Sequence, residues 1–183
     1  MLAAAVQGHF FWITSRAAGT AALLASSVSV CVGLLMSQRL LKGRQPDLRI
    51  VHEALSLAAI AAIAVHAGAL LGDGFLHPSL ADVTVPFASG YREPWTTIGI
   101  VSGWLMILLG LSFYARGRIG QQRWRSLHRI TALAWILGLA HSLGEGTDAG
   151  QAWFLVATGI VVIPAATLLA LRMTSTPARE MAR

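Results

Sequence analysis

Five long apolar runs govern what this chain can fold into. They lie at about 11–37, 50–72, 95–115, 127–143 and 152–171. At 1.5 Å per residue, a helix of roughly 20 apolar residues crosses the ~30 Å hydrocarbon core of a bilayer. In that solvent a helix satisfies its own backbone polar groups, which an isolated strand cannot do. The expected fold is therefore all-α, a polytopic bundle of five transmembrane helices forming one domain over 1–183. The expected location is the cell membrane, multi-pass, with lipid around it. The fourth run is the shortest and the most interrupted by polar residues, so it belongs inside the bundle rather than against lipid. Only 12% of the 183 residues are charged, about half the ~25% of an ordinary soluble domain. That leaves too little polar surface to face water on all sides.

Charge in the gaps sets the orientation. Arg39, Lys42, Arg44 and Arg49 follow the first run. Arg116, Arg118, Arg123, Arg125 and Arg129 follow the third, and Arg172, Arg179 and Arg183 follow the fifth. The gap after the second run holds Asp73, Asp82 and Glu93 against Arg92, and the gap after the fourth holds Glu145 and Asp148 with no basic residue. Basic loops stay in the cytoplasm, which predicts the N-terminus outside and the C-terminus inside. The same distribution removes nucleic acid as a partner, because the net charge of +6 is divided among short gaps. The first residues lack the basic segment of a cleaved signal, so the first run is expected to be a mature helix. The connection 73–94, with Pro78, Pro86, Gly90 and Pro94, is expected outside as an ordered loop or short surface helix. Cys31 is the one cysteine. With no intramolecular disulfide and no CxxC motif, redox chemistry would have to come from a bound cofactor.

Four histidines supply a way to hold one. His52 and His66 lie on the second run, His128 and His141 on the fourth. Both runs cross from inside to outside, so His52 and His128 fall near the cytoplasmic face and His66 and His141 nearer the outer face. The spacings put the two levels about 20 Å apart along a helix. Ionisable side chains inside membrane helices are rare and mark function. Imidazole suits a haem iron, and one from each helix would close both axial positions. The expectation is two haems b, the inner on His52 and His128, the outer on His66 and His141, relaying electrons between the two faces. The bland alternative, packed or interfacial histidines, explains one such residue better than four at matched depths. A spacing of 14 returns to nearly the same helix face, whereas 13 falls short by roughly a third of a turn. A departure from ideal helix is therefore expected between His128 and His141, and Gly138 is the candidate hinge.

With these residues in hand, the chain resembles the ferric reductase-like transmembrane domain family, a haem b superfamily with the NADPH oxidases and the haem subunit of a bacterial methionine sulfoxide reductase system. The resemblance rests on His52 and His66, on His128 and His141, on Trp124-Arg125-Ser126-Leu127-His128-Arg129, and on Arg16 within Trp12-Ile13-Thr14-Ser15-Arg16-Ala17-Ala18-Gly19. It implies bis-histidine ligation of an inner and an outer haem, with electron transfer across the membrane. The chain departs from many relatives in having five runs rather than six and no room for a flavin and nicotinamide domain after the last. The donor is then expected to be a separate flavoprotein or quinol, and the acceptor lies at the outer face.

Other residues admit a sharp and a bland reading. Arg16 suits an outer-haem propionate, since guanidinium pairs with carboxylate in bidentate fashion, or else it snorkels to headgroups. Arg125 and Arg129, flanking His128, suit the inner propionates or simply fix topology. Trp124 is expected to anchor at the interface, and Trp104, Trp135 and Trp153 to pack. Glu145 and Asp148 would draw a cationic acceptor to the outer haem or form a solvated turn. Gly68 and Gly138 would make room for a porphyrin. His9 and His77 carry no assigned role. Three functions remain open: a membrane di-haem cytochrome b, the haem-binding subunit of a two-component oxidoreductase whose partner does the chemistry, and a non-redox transporter or scaffold with metal-binding histidines. A quinol-oxidising cytochrome b would need a quinone pocket that the sequence does not reveal.

Overall fold

The computed structural model describes residues 2–41 and 43–175, with side chains over 9–41 and 43–174. Lys42, Arg179 and Arg183, three of the topology-setting cations, lie outside the described residues. All regular structure in the described residues is helical. The elements are α1 (Leu2–Gln38), α2 (Gln45–Leu70), α3 (Leu80–Thr84), α4 (Glu93–Leu111), a 3₁₀ turn (Ser112–Ala115), α5 (Arg116–Ile119), α6 (Gln121–His128), α7 (Thr131–Gly144) and α8 (Ala152–Ser175).

Local chemistry sets the boundaries. Leu40 N–H reaches back to the Leu35 carbonyl at 3.2 Å across Arg39. Arg39 has φ 55°, a left-handed stop to α1. Pro46 and Pro94 open α2 and α4 in the first turn, where a missing N–H costs nothing. The short α3 starts at a capping box: the Ser79 hydroxyl accepts from Asp82 N–H, and the Asp82 carboxylate accepts from Ser79 N–H at 2.7 Å. The connection 73–94 thus holds a short helix, one of the two forms expected of it.

Four stretches are long and apolar enough to cross a membrane: His9–Gln38, Gln45–Leu70, Glu93–Ile119 and Ala152–Thr174. The expected fourth helix, 127–143, is instead two helices meeting at Arg129–Ile130. Its longer half, α7, has 14 residues and spans about 21 Å.

The interior is organised around α1. It packs along α2 on one side and along α8 and α7 on others, while α4 packs along α7 and touches α2. The core follows this arrangement, with Ala22, Leu23, Val32 and Leu34 of α1 buried together with Ala59, Ala134, Trp135, Phe154 and Ala165. Serines 15, 26, 27 and 29 are buried on the same helix, which lets α1 offer hydrogen bonds to its neighbours. Helices α2 and α7 face each other across a slot walled by α1 and α4, and their close packing is with those walls rather than with each other. Between the two ends the Trp135 indole donates to Ser27 Oγ at 2.9 Å, and Ala59 of α2 is fully buried.

Candidate functional site

The four histidines line this slot in two facing pairs. His66 and His141 have ring centres 6.3 Å apart with planes crossed at 70°. His52 and His128 lie 6.1 Å apart, crossed at 87°. The sequence-derived pairing is thus the one the helices produce.

Three of the four rings are held by one repeated device, a backbone carbonyl followed four residues later by a glycine. His66 Nδ1 lies 2.8 Å from the Ser15 carbonyl, and its ring rests on Gly19, where a Cβ would come to 3.0 Å from Nδ1. His52 Nδ1 lies 2.9 Å from the Ser29 carbonyl, with its ring on Gly33, where a Cβ would meet Cε1 at 3.1 Å. His141 Nδ1 lies 2.9 Å from the Trp95 carbonyl, with its ring on Gly99, where a Cβ would stand 2.5 Å from Nδ1. On α1 the hydroxyls reinforce the clamps: Ser15 Oγ donates to the His66 carbonyl at 3.0 Å, and Ser29 Oγ contacts Ser56 Oγ at 2.8 Å.

The consequence is chemical as well as steric. A carbonyl only accepts, so each Nδ1 facing one carries the proton. The lone pair is then left on Nε2, the state in which imidazole binds a metal. None of the four Nε2 atoms makes a hydrogen bond among the described residues.

His128 is held differently. Fourteen residues beyond Gly99 on α4 stands Phe113 rather than a glycine, and the chain there is in the 3₁₀ turn. The Phe113 ring packs against Trp124 at 5.8 Å, and Trp124 stacks on His128 at 5.0 Å and 24°. His128 Nδ1 is buried without a hydrogen-bond partner among the described residues. Trp124 therefore steadies a site residue, beyond the anchoring role its position near the interface suggests.

The expected departure from ideal helix exists, but not at Gly138. It lies at Arg129–Ile130, where Ile130 N–H bonds to the Leu127 carbonyl at 2.9 Å in a tight turn. Thr131 Oγ1 donates to the His128 carbonyl at 2.6 Å. Tight i→i+3 turns rotate more per residue than α-helix, which is the sense needed to recover the angle that 13 residues leave short. Gly138 serves packing: a Cβ there would stand 2.9 Å from Ser102 Oγ, and that hydroxyl donates to the Ala134 carbonyl at 2.8 Å. Gly68 is exposed, and a Cβ there would meet nothing within 4 Å.

Near His66 and His141 the polar residues form two groups. Arg16 makes a bidentate ion pair with Asp148 through Nε and Nη2, and its guanidinium lies 4.8 Å over the Trp12 ring. Asp148 is buried in this pair, so it is not displayed to attract a cation. Glu145 Oε1 accepts from Thr96 Oγ1 at 2.9 Å. Its Oε2 stands 3.3 Å from His141 Nδ1, the nitrogen that already donates to Trp95. A cavity of about 300 Å³ beneath the 73–94 connection reaches Glu145, with Leu76, Asp82, Tyr91 and Thr96 also in its wall. Near His128, Arg125 and Arg129 are exposed, and Arg129 folds back onto the Arg125 carbonyl at 3.4 Å. Trp135 packs, as expected. Trp104 is exposed with its indole donating to the Thr84 carbonyl at 2.8 Å, and Trp153 is exposed.

The clamps on α1 escaped the sequence reading although a signal was present. Ser15-x₃-Gly19 and Ser29-x₃-Gly33 recur at 14 residues, the interval that separates His52 from His66. No group of three or more His, Cys, Asp or Glu side chains able to hold a bare metal ion occurs among the described residues. The arrangement offers paired imidazoles and nothing more, which is what an iron already held by a four-nitrogen macrocycle requires.

A family model described as ferric reductase like transmembrane component matches residues 18–139. Comparisons with curated proteins and with solved structures give no match. The matched segment takes in His52, His66 and His128 and stops two residues before His141.

Proposed function

The chain belongs to the ferric reductase-like transmembrane component family, and from that membership we propose that it is a di-haem membrane cytochrome b that carries electrons across the bilayer. Membership makes it a membrane redox component of a family that generally binds haem. The finer reading rests on one observation: two facing imidazole pairs, each with unengaged Nε2 atoms, at the two ends of one slot. Metal–imidazole bonds of about 2.0–2.1 Å on opposite sides of one iron would set ring centres about 6 Å apart. The measured 6.1 and 6.3 Å fit that requirement. A bare zinc site would need three or four protein ligands, so the geometry favours haem over the metal-binding transporter.

In this reading His52 and His128 ligate an inner haem b and His66 and His141 an outer one, and the bound groups supply one-electron chemistry. The protein's own work is to fix the imidazoles, keep water out and tune the iron through ligand hydrogen bonds. The carbonyls of Ser15, Ser29 and Trp95 do the fixing. Arg16 keeps Nη1 clear of Asp148 and can face an outer propionate, while Arg125 and Arg129 are placed to meet inner propionates. Helices α6 and α7 together make a fifth crossing, with the N-terminus outside and the C-terminus in the cytoplasm. The donor is a separate flavoprotein or a quinol on the cytoplasmic side. The acceptor approaches at the outer face, where the cavity beside Glu145 opens a route.

The test is a reduced-minus-oxidised spectrum of the purified protein with a haem count, run beside His66→Ala and His128→Ala. About two haems b per chain are expected, each variant losing mainly one. No haem, or haem indifferent to both substitutions, would overturn the proposal.

A further inference from the structure

We propose that Glu145 is a positioning residue that sets the outer site's potential apart from the inner one; the inference rests on the di-haem reading above. Three groups face His141 Nδ1 or its neighbourhood: the Trp95 carbonyl at 2.9 Å, Glu145 Oε2 at 3.3 Å, and Gly99 pressed under the ring. The carboxylate is held there from two directions. It sits on the turn after His141, four residues on, and its other oxygen is braced by Thr96 Oγ1 at the start of α4. Glu145 Oε2 is a buried atom with no hydrogen bond among the described residues, and the donor it faces is the His141 N–H that it shares with the Trp95 carbonyl.

A largely shielded carboxylate beside the protonated nitrogen of a ligand imidazole pulls that proton toward itself. The other ring nitrogen becomes a stronger electron donor, and an iron bound there is stabilised in its oxidised state. The potential of the outer haem falls. Among the described residues no carboxylate is in contact with an Nδ1 of the inner pair. His52 has a neutral carbonyl as its acceptor, and His128 Nδ1 has no acceptor among the described residues. The two sites share imidazole ligation and differ in whether a carboxylate stands against a ligand's Nδ1: Glu145 does so at His141, whereas Glu53, next to His52 in the chain, accepts from the Tyr114 hydroxyl at 2.8 Å. Ligand orientation and a negative charge in a low-dielectric slot both act over this distance.

The experiment is a potentiometric titration of the purified wild-type protein, Glu145→Gln and Glu145→Asp. His66→Ala identifies which wave belongs to the inner haem. Glutamine keeps the side chain's shape and its bond with Thr96 but removes the charge. The expected result is two haems in both Glu145 variants and an upward shift of the outer potential alone in Glu145→Gln. An effect of about tenfold on its reduction equilibrium, typical for an outer-shell partner, is ~59 mV for one electron. Glu145→Asp, with the charge kept, should stay closer to wild type, and the low-spin ferric EPR signal of the outer haem should move with its potential. Two haems with both potentials unchanged in Glu145→Gln would overturn this role and leave the relay standing. Loss of the outer haem from Glu145→Gln would also overturn it, in favour of plain bracing. A wild-type protein without haem would overturn the relay and this role together.

Discussion

At one end of the slot both imidazoles donate Nδ1–H to a carbonyl, His66 to Ser15 and His141 to Trp95. At the other end only His52 does, to Ser29, and His128 is steadied by the face of Trp124. The first end also holds the Arg16–Asp148 pair and Glu145, whereas exposed Arg125 and Arg129 stand near the second. A hydrogen bond fixes both the tilt of an imidazole and the nitrogen that carries its proton. A stacked ring fixes the plane and leaves the proton's position open. The His66–His141 end therefore fixes the proton on both rings, and the His52–His128 end fixes it on one.

The comparison can be broken by substitution, and the largest effect should come from Arg16→Ala. That change leaves Asp148, 4% exposed, without its counter-charge. Breaking a buried pair costs about 3–5 kcal/mol, and exposed pairs much less. Since Arg16 is 36% exposed, a loss of about 2–3 kcal/mol is expected, read as a lower thermal midpoint in detergent. Asp148→Ala should be milder, because a freed arginine can reach water. Equal damage from the two changes would mean that the pair's burial is not what matters. Next comes Gly99→Ala. Its Cβ would stand 2.5 Å from His141 Nδ1, an overpacking of about 1–3 kcal/mol that should empty the outer site while sparing the inner. Gly33→Ala, at 3.1 Å from His52 Cε1, should show the same defect more weakly and at the other end. Haem content per chain separates these outcomes, and identical losses would erase the distinction drawn between the ends. The smallest effect is expected from Trp124→Leu, which removes the stack on His128 at about 0.5–1.5 kcal/mol. The spectrum of the inner haem alone should broaden or shift.

Much of this was legible in the residues. The apolar runs gave the helices, and the intervals between histidines gave the pairs, because hydropathy and helical period act along the chain. What stayed hidden depends on contacts between distant segments. The continuity of 127–143 failed at Arg129–Ile130 because the mismatch between 13 residues and whole turns is resolved beside His128 rather than at the glycine. Propensity alone would pick Gly138, yet that glycine admits Ser102 of α4. The Asp148 partner of Arg16 lies 132 positions away, and no local pattern joins them. The glycine clamps lay between these extremes, since their 14-residue recurrence is visible but its meaning requires knowing that α1 lies alongside α2.

The recurrence makes α1 a gauge. Ser15 and Ser29 mark off the same interval that His66 and His52 mark off on the antiparallel neighbour, so the separation of the two sites is written twice, once in each helix. A residue inserted between Gly19 and Ser29 would turn one clamp by about 100° away from its histidine. Residues in that segment can be exchanged more freely than they can be added or deleted. Its length is the constrained quantity, and with it the distance between the two imidazole pairs.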